Sequence, residues 1–90
     1  MRAAFKAIGH VQGVGFRSYV RHEADALGLR GFVRNEWDRS VVGQAEGSES
    51  ALEAFREALE RGPLFGRVSR LDWDPLSEGE SLPLPFEIRS

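Results

Sequence analysis

The chain predicts an α+β domain in which two helices cover one face of a β-sheet. Three observations carry this. Two stretches with helical apolar spacing, around residues 16–27 and 52–59, are each flanked by strand-like runs. Glycine stands where each helix should stop. The order strand–helix–strand occurs twice, which layers helices on a sheet.

Residues 3–10 read as the first strand, with Phe5 and Ile8 as its bulky members. From Phe16 the spacing turns helical: Phe16, Val20, Ala24 and Leu27 share a stripe, with Arg21, His22 and Asp25 off it. Gly28 stops that helix. Residues 29–35 form the second strand around Phe32 and Val33, residues 36–39 a turn, and residues 40–46 the third strand. Ser48 is a candidate N-cap with Glu49 in the first turn behind it. The second helix places Leu52, Phe55 and Leu59 on one stripe, and its spacing pairs Glu53 with Arg56 and Glu57 with Arg61 toward solvent. Gly62-Pro63 ends it. Residues 67–74 are the fourth strand, 75–85 a polar loop, and 86–88 a short closing strand at a sheet edge. With right-handed crossovers this becomes a ferredoxin-like βαββαβ sandwich: an antiparallel sheet in order 4-1-3-2, plus the short C-terminal strand, with both helices on one face. Strands 1 and 2 belong to one βαβ unit and run parallel, so their C-terminal ends meet at one edge.

Ninety residues, 41% of them apolar, are expected to make one domain over residues 1–90. A formal net charge of −2 argues against general attraction to nucleic acid or to a membrane surface, and neither is an expected partner. There is no cysteine, which removes disulfides, thiolate chemistry and cysteine-bound zinc. His10 and His22 form no metal-ligand spacing, so neither metal nor cofactor is expected. No run is apolar enough to span a bilayer and the N-terminus lacks a signal-peptide core, so a cytoplasmic, soluble monomer is the expectation.

The stretch Gly9-His10-Val11-Gln12-Gly13-Val14-Gly15-Phe16-Arg17-Ser18 carries the chemistry. Its glycines free the main chain to turn N–H groups toward one point, and the helix start adds partial positive charge there. Arg17 offers a planar fork that matches phosphate oxygens two at a time. A Walker-type loop would need Gly-Lys-Ser/Thr after the turn, and none occurs. A dinucleotide fingerprint would need a third glycine where Ser18 stands. What remains is a seat for an oxyanion. Taken alone, Arg17 reads sooner as a solvated helix arginine, and Asn35, the single asparagine, can be read as a turn or strand-end residue satisfying its own backbone.

Two signatures together resemble the acylphosphatase family over essentially the whole length. Gly9-x-Val11-Gln12-Gly13-Val14-Gly15-Phe16-Arg17 matches the first, and Gly28-Leu29-x-Gly31-Phe32-Val33-x-Asn35 the second, with Phe32 where the family commonly has Trp. Gly62-Pro63 and Phe86-x-Ile88 extend the likeness. His10 departs from the frequent Lys or Arg, and residues 36–40 depart from the usual Asp-Gly turn. The resemblance implies a metal-independent hydrolase that splits the carboxyl–phosphate bond of acyl phosphates, with inorganic phosphate as product and competitive inhibitor. It implies that Arg17 and Asn35 are catalytic, Arg17 holding the phosphate and Asn35 the attacking water. Gln12, Gly13, Val14, Gly15, Phe16 and Arg17 would form the phosphate-binding loop.

Two other classes compete. An RNA-binding βαββαβ module would need aromatics on strands 1 and 3 and a basic sheet; residues 40–46 hold no aromatic. A non-catalytic anion-binding or assembly domain of the same fold is the remaining alternative, because fold alone does not fix function.

Overall fold

Seven elements follow one another: β1 (Arg2–His10), α1 (Phe16–Ala26), β2 (Arg30–Asn35), β3 (Val41–Glu46), α2 (Glu49–Arg61), β4 (Arg67–Leu76) and β5 (Glu87–Arg89). The computed structural model describes residues 1–90. The five strands form one sheet in the order β4-β1-β3-β2-β5. β3 pairs antiparallel with both β1 and β2, and β4 antiparallel with β1. β1 and β2 therefore run the same way, and the segments after them emerge at one end of the sheet.

Alternation along the strands assigns the faces. Phe5 and Ala7 of β1, Val33 of β2 and Val41 and Ala45 of β3 are fully buried toward the helices. The helices answer with Phe16, Val20 and Ala24 from α1 and with Leu52, Phe55, Ala58 and Leu59 from α2, the stripes expected from 3.6-residue spacing. Phe55 sits at the centre, its ring 5.6 Å from Phe5, 6.1 Å from Phe86 and 6.5 Å from Trp73. Edge-to-face geometry of this kind adds to the area each ring buries.

Several sequence expectations need correction. The sheet is mixed, because β5 lies parallel to β2, pairing Phe32 with Glu87 and Val33 with Ile88. Phe86 belongs to the core and precedes β5. β4 continues through Pro75 to Leu76; at a sheet edge, proline's missing N–H leaves no ladder bond unmade. On α2, Arg61 reaches across to Glu23 of α1 at 3.7 Å, and Arg56 lies over the Trp73 ring at 5.7 Å. Neither makes the expected pair with a glutamate of its own helix, since a neighbouring element offers the long side chains a better surface.

The polar loop after β4 is fastened at the far end of the sheet. Glu46 accepts from the Leu82 amide at 3.0 Å and from Arg2 at 3.2 Å. Those partners hold the Glu46 carboxyl below its usual range, the Leu82 amide foremost. The end carrying the glycine-rich loop is left clear.

Candidate active site

The segment from Val11 to Gly15 joins β1 to α1. Just before it, the pairing of β1 with β4 shifts register between Ile8 and Gly9. Such a bulge bends a strand and re-aims the chain beyond it. Gly9 lies so close to β4 that a Cβ there would collide with the Arg67 carbonyl.

Gly13 and Gly15 both take left-handed backbone angles, φ 76° and 75°. A Cβ at either would meet nothing within 4 Å, so glycine supplies conformation here and not room. Gly15 is the N-cap of α1, with no side chain capping the helix and no acidic residue in its first turn. The first main-chain bond of the helix runs from the Tyr19 amide to the Gly15 carbonyl at 3.0 Å. None of the N–H groups from Gln12 to Ser18 donates to a main-chain acceptor. The sequence has thus built a row of unspent donors at the positive end of a helix.

Gly13 and the residues from Gly15 to Ser18 border a cavity of about 250 Å³. Val11, Gly13, Gly15 and Phe16 form one side, with Arg17 and Ser18 from the first turn of α1; Asn35 and Ile88 close it from β2 and β5. Arg17 and Asn35 therefore share one pocket. Asn35 follows Gly31 and Val33 on the helix-facing side of β2, and alternation turns it toward α1. The Arg17 guanidinium donates through Nη1 to the Arg89 carbonyl at 2.9 Å, so β5 orients it while its other nitrogens remain free. A larger depression of about 360 Å³ lies on the opposite, helix-free face among Lys6, Phe32, Arg34 and Asp72. It lacks the convergence of helix terminus, arginine and amide that the smaller cavity has.

Gln12 and Val14 stand apart from the other loop positions. Neither lines the shared cavity. Val14 packs against the core. The Gln12 side chain donates to the carbonyls of Glu36 at 2.7 Å and Ser40 at 2.9 Å. It therefore locks the loop to the β2–β3 turn directly after Asn35 and sets the spacing of the two halves of the site. The turn is itself braced by Asp38, which accepts from the Ser40 amide at 3.0 Å and hydroxyl at 2.5 Å and from Lys6 at 3.1 Å. The Ser40 bonds, with Lys6 behind them, lower the Asp38 pKa to about 2.

Sequence reasoning missed Ile88, Arg89 and Ser18. Only the closing Phe86-x-Ile88 pattern pointed toward β5, and pattern alone does not say which strand it joins. His22 is exposed on α1, away from the cavity. No group of three or more His, Asp or Glu side chains is placed to hold a metal ion, and no helix is long and apolar enough to cross a membrane.

The geometry agrees with what the chain is similar to. The acylphosphatase family model matches residues 3–88. An acylphosphatase from Nitratidesulfovibrio vulgaris (strain DP4) is 48% identical over 90 residues, covering 98% of this chain and 89% of that protein. One from Rhizobium etli is 45% identical over 80 residues, covering 89% and 84%. The crystal structure of acylphosphatase from Bacillus subtilis superposes with a TM-score of 0.90 at 37% identity, covering 99% of this chain and 98% of that one. With both signatures meeting at one cavity and relatives matched over nearly their full length, the chain belongs to the acylphosphatase family.

Proposed function

We propose that this chain hydrolyses acyl phosphates to a carboxylate and inorganic phosphate, with Arg17 binding the phosphoryl group and Asn35 positioning the attacking water. The carrying observation is that Arg17 and Asn35 border one cavity alongside a row of unpaired main-chain N–H groups. The leaving carboxylate is a weak base, so no general acid is needed. Phosphoryl transfer passes through a loose transition state with charge spread over the equatorial oxygens, and catalysis is mainly positioning and electrostatics. The amides of Gly13 and of residues 15–18, together with the Arg17 fork, meet that charge.

The Asn35 amide aims a water at phosphorus, in line with the leaving oxygen. The water oxygen bonds to phosphorus as the phosphorus–acyl oxygen bond breaks. An amide is too weak a base to take the water's proton, which passes to a phosphoryl oxygen. Phosphate, as product, occupies the same seat and inhibits competitively. The enzyme works as a cytoplasmic monomer, and its exposed large apolar side chains are divided between the two ends of the sheet, Trp37, Leu64 and Phe65 at one and Met1, Leu76 and Leu84 at the other. The test is hydrolysis of benzoyl phosphate in EDTA. Turnover that survives the chelator and is inhibited by phosphate supports the reading; a folded protein with no turnover contradicts it.

A further inference from the structure

Beside the phosphate seat lies a second cavity, of about 170 Å³, lined by Gly9, His10, Val11, Gln12 and Arg39. Val11 is common to both, so the two cavities share a wall. Arg39 is the one residue other than glycine with a left-handed backbone, φ 75°. L-residues adopt that region at a cost that glycine avoids, and side chains held there concentrate at functional positions. Here the left-handed position brings Arg39 to the edge of the second cavity.

Its charge is unspent. The side chains of Arg39 and His10 take part in none of the ion pairs. The two carboxylates of the same turn are already engaged, Asp38 with Ser40 and Lys6 and Glu36 with Arg34 at 2.8 Å. Arg67, the register partner of His10 on β4, is exposed and also outside every ion pair. In a chain of net charge −2, this end of the sheet thus holds two arginines, Arg39 and Arg67, without counter-ions beside the His10 ring.

We propose that the Arg39–His10 niche is a second anion subsite that binds a carboxylate or phosphate on the acyl group of the substrate, and so selects acyl phosphates that carry a further negative charge. The inference rests on the acyl-phosphate reading of the neighbouring cavity. With the phosphoryl group beside Arg17, a short acyl chain passing Val11 brings its distal anion to Arg39, whose fork accepts either oxyanion, while a ring N–H of His10 donates to it.

Arg39→Gly tests this without threatening the fold, because glycine relieves the left-handed backbone. Wild type and variant are compared on benzoyl phosphate, whose acyl group is neutral, on 3-carboxypropanoyl phosphate and on 3-phosphonopropanoyl phosphate. The expected result is a rise of about tenfold in KM for one or both charged substrates with kcat held, while benzoyl phosphate parameters stay within about twofold. Whichever charged substrate loses more identifies the anion preferred. Arg39→Lys should keep part of the preference, and added salt should erode it. Equal changes for all three substrates, or no change for any, overturn the subsite. Wild type failing on benzoyl phosphate would instead remove the acyl-phosphate reading, and this inference with it.

Discussion

The two helices of this protein begin in opposite ways. α2 starts at Ser48, whose hydroxyl accepts from the Ala51 amide at 3.1 Å, with Glu49 in the first turn facing the helix dipole. α1 starts at Gly15 with no side-chain acceptor and no acid. The first end is finished internally and serves stability. The second has only glycine turns before it and Arg17 in its first turn, an arrangement that favours an anion arriving from outside. One chain thus contains a helix start closed by its own side chain and one left open at the proposed site, and the difference lies in a handful of residues.

The strongest way to break the contrast is to remove the cation. Each charged hydrogen bond lost costs roughly 1.5–3 kcal/mol, and Arg17 offers two to a phosphoryl group. Arg17→Ala should therefore lower kcat/KM on benzoyl phosphate by roughly 10²–10⁴-fold and abolish inhibition by phosphate. Arg17→Lys should recover little, since a point charge lacks the fork. Asn35→Ala removes a single positioned group, for which the usual loss is about 10²–10³ in kcat. Phosphate inhibition should persist in that variant, and equal loss of phosphate affinity in both would refute the division of roles.

Making α1 resemble α2 sharpens the comparison. Ser18→Glu supplies the missing first-turn acid. It should stabilise the helix by about 0.3–1 kcal/mol, seen as a small rise in Tm. The same carboxylate repels the incoming phosphoryl group, and KM should rise roughly tenfold or more. The reciprocal change at the other helix is the mildest. Ser48→Ala should cost about 1 kcal/mol in denaturant unfolding and leave kcat and KM unaltered.

Much of this was legible in the residue pattern because local physics and tertiary structure agree there. Both helix stripes, the Ser48 cap and the loop glycines state local preferences that the core leaves intact. The convergence of Arg17 with Asn35 came from topology alone, since parallel β1 and β2 must end at one edge. What could not be read depended on distant partners. β5 is three residues long, and its parallel pairing with β2 is fixed by Phe86 entering the core. The bond from Arg17 to the Arg89 carbonyl depends on that placement and leaves no trace in spacing. The Gln12 clamp likewise joins residues 24 and 28 positions apart. Arg56 and Arg61 left their expected partners because Trp73 and Glu23 come within reach only in the folded molecule.

The proposed activity depends on the open start of α1 capturing a phosphoryl group through its main chain. Titrating inorganic phosphate while monitoring backbone amide resonances measures this directly. Saturable shifts should concentrate at residues 13–18, leave the amides of residues 49–51 at the start of α2 unmoved, and disappear in Arg17→Ala. Shifts centred elsewhere, or equal at the two helix starts, would contradict it.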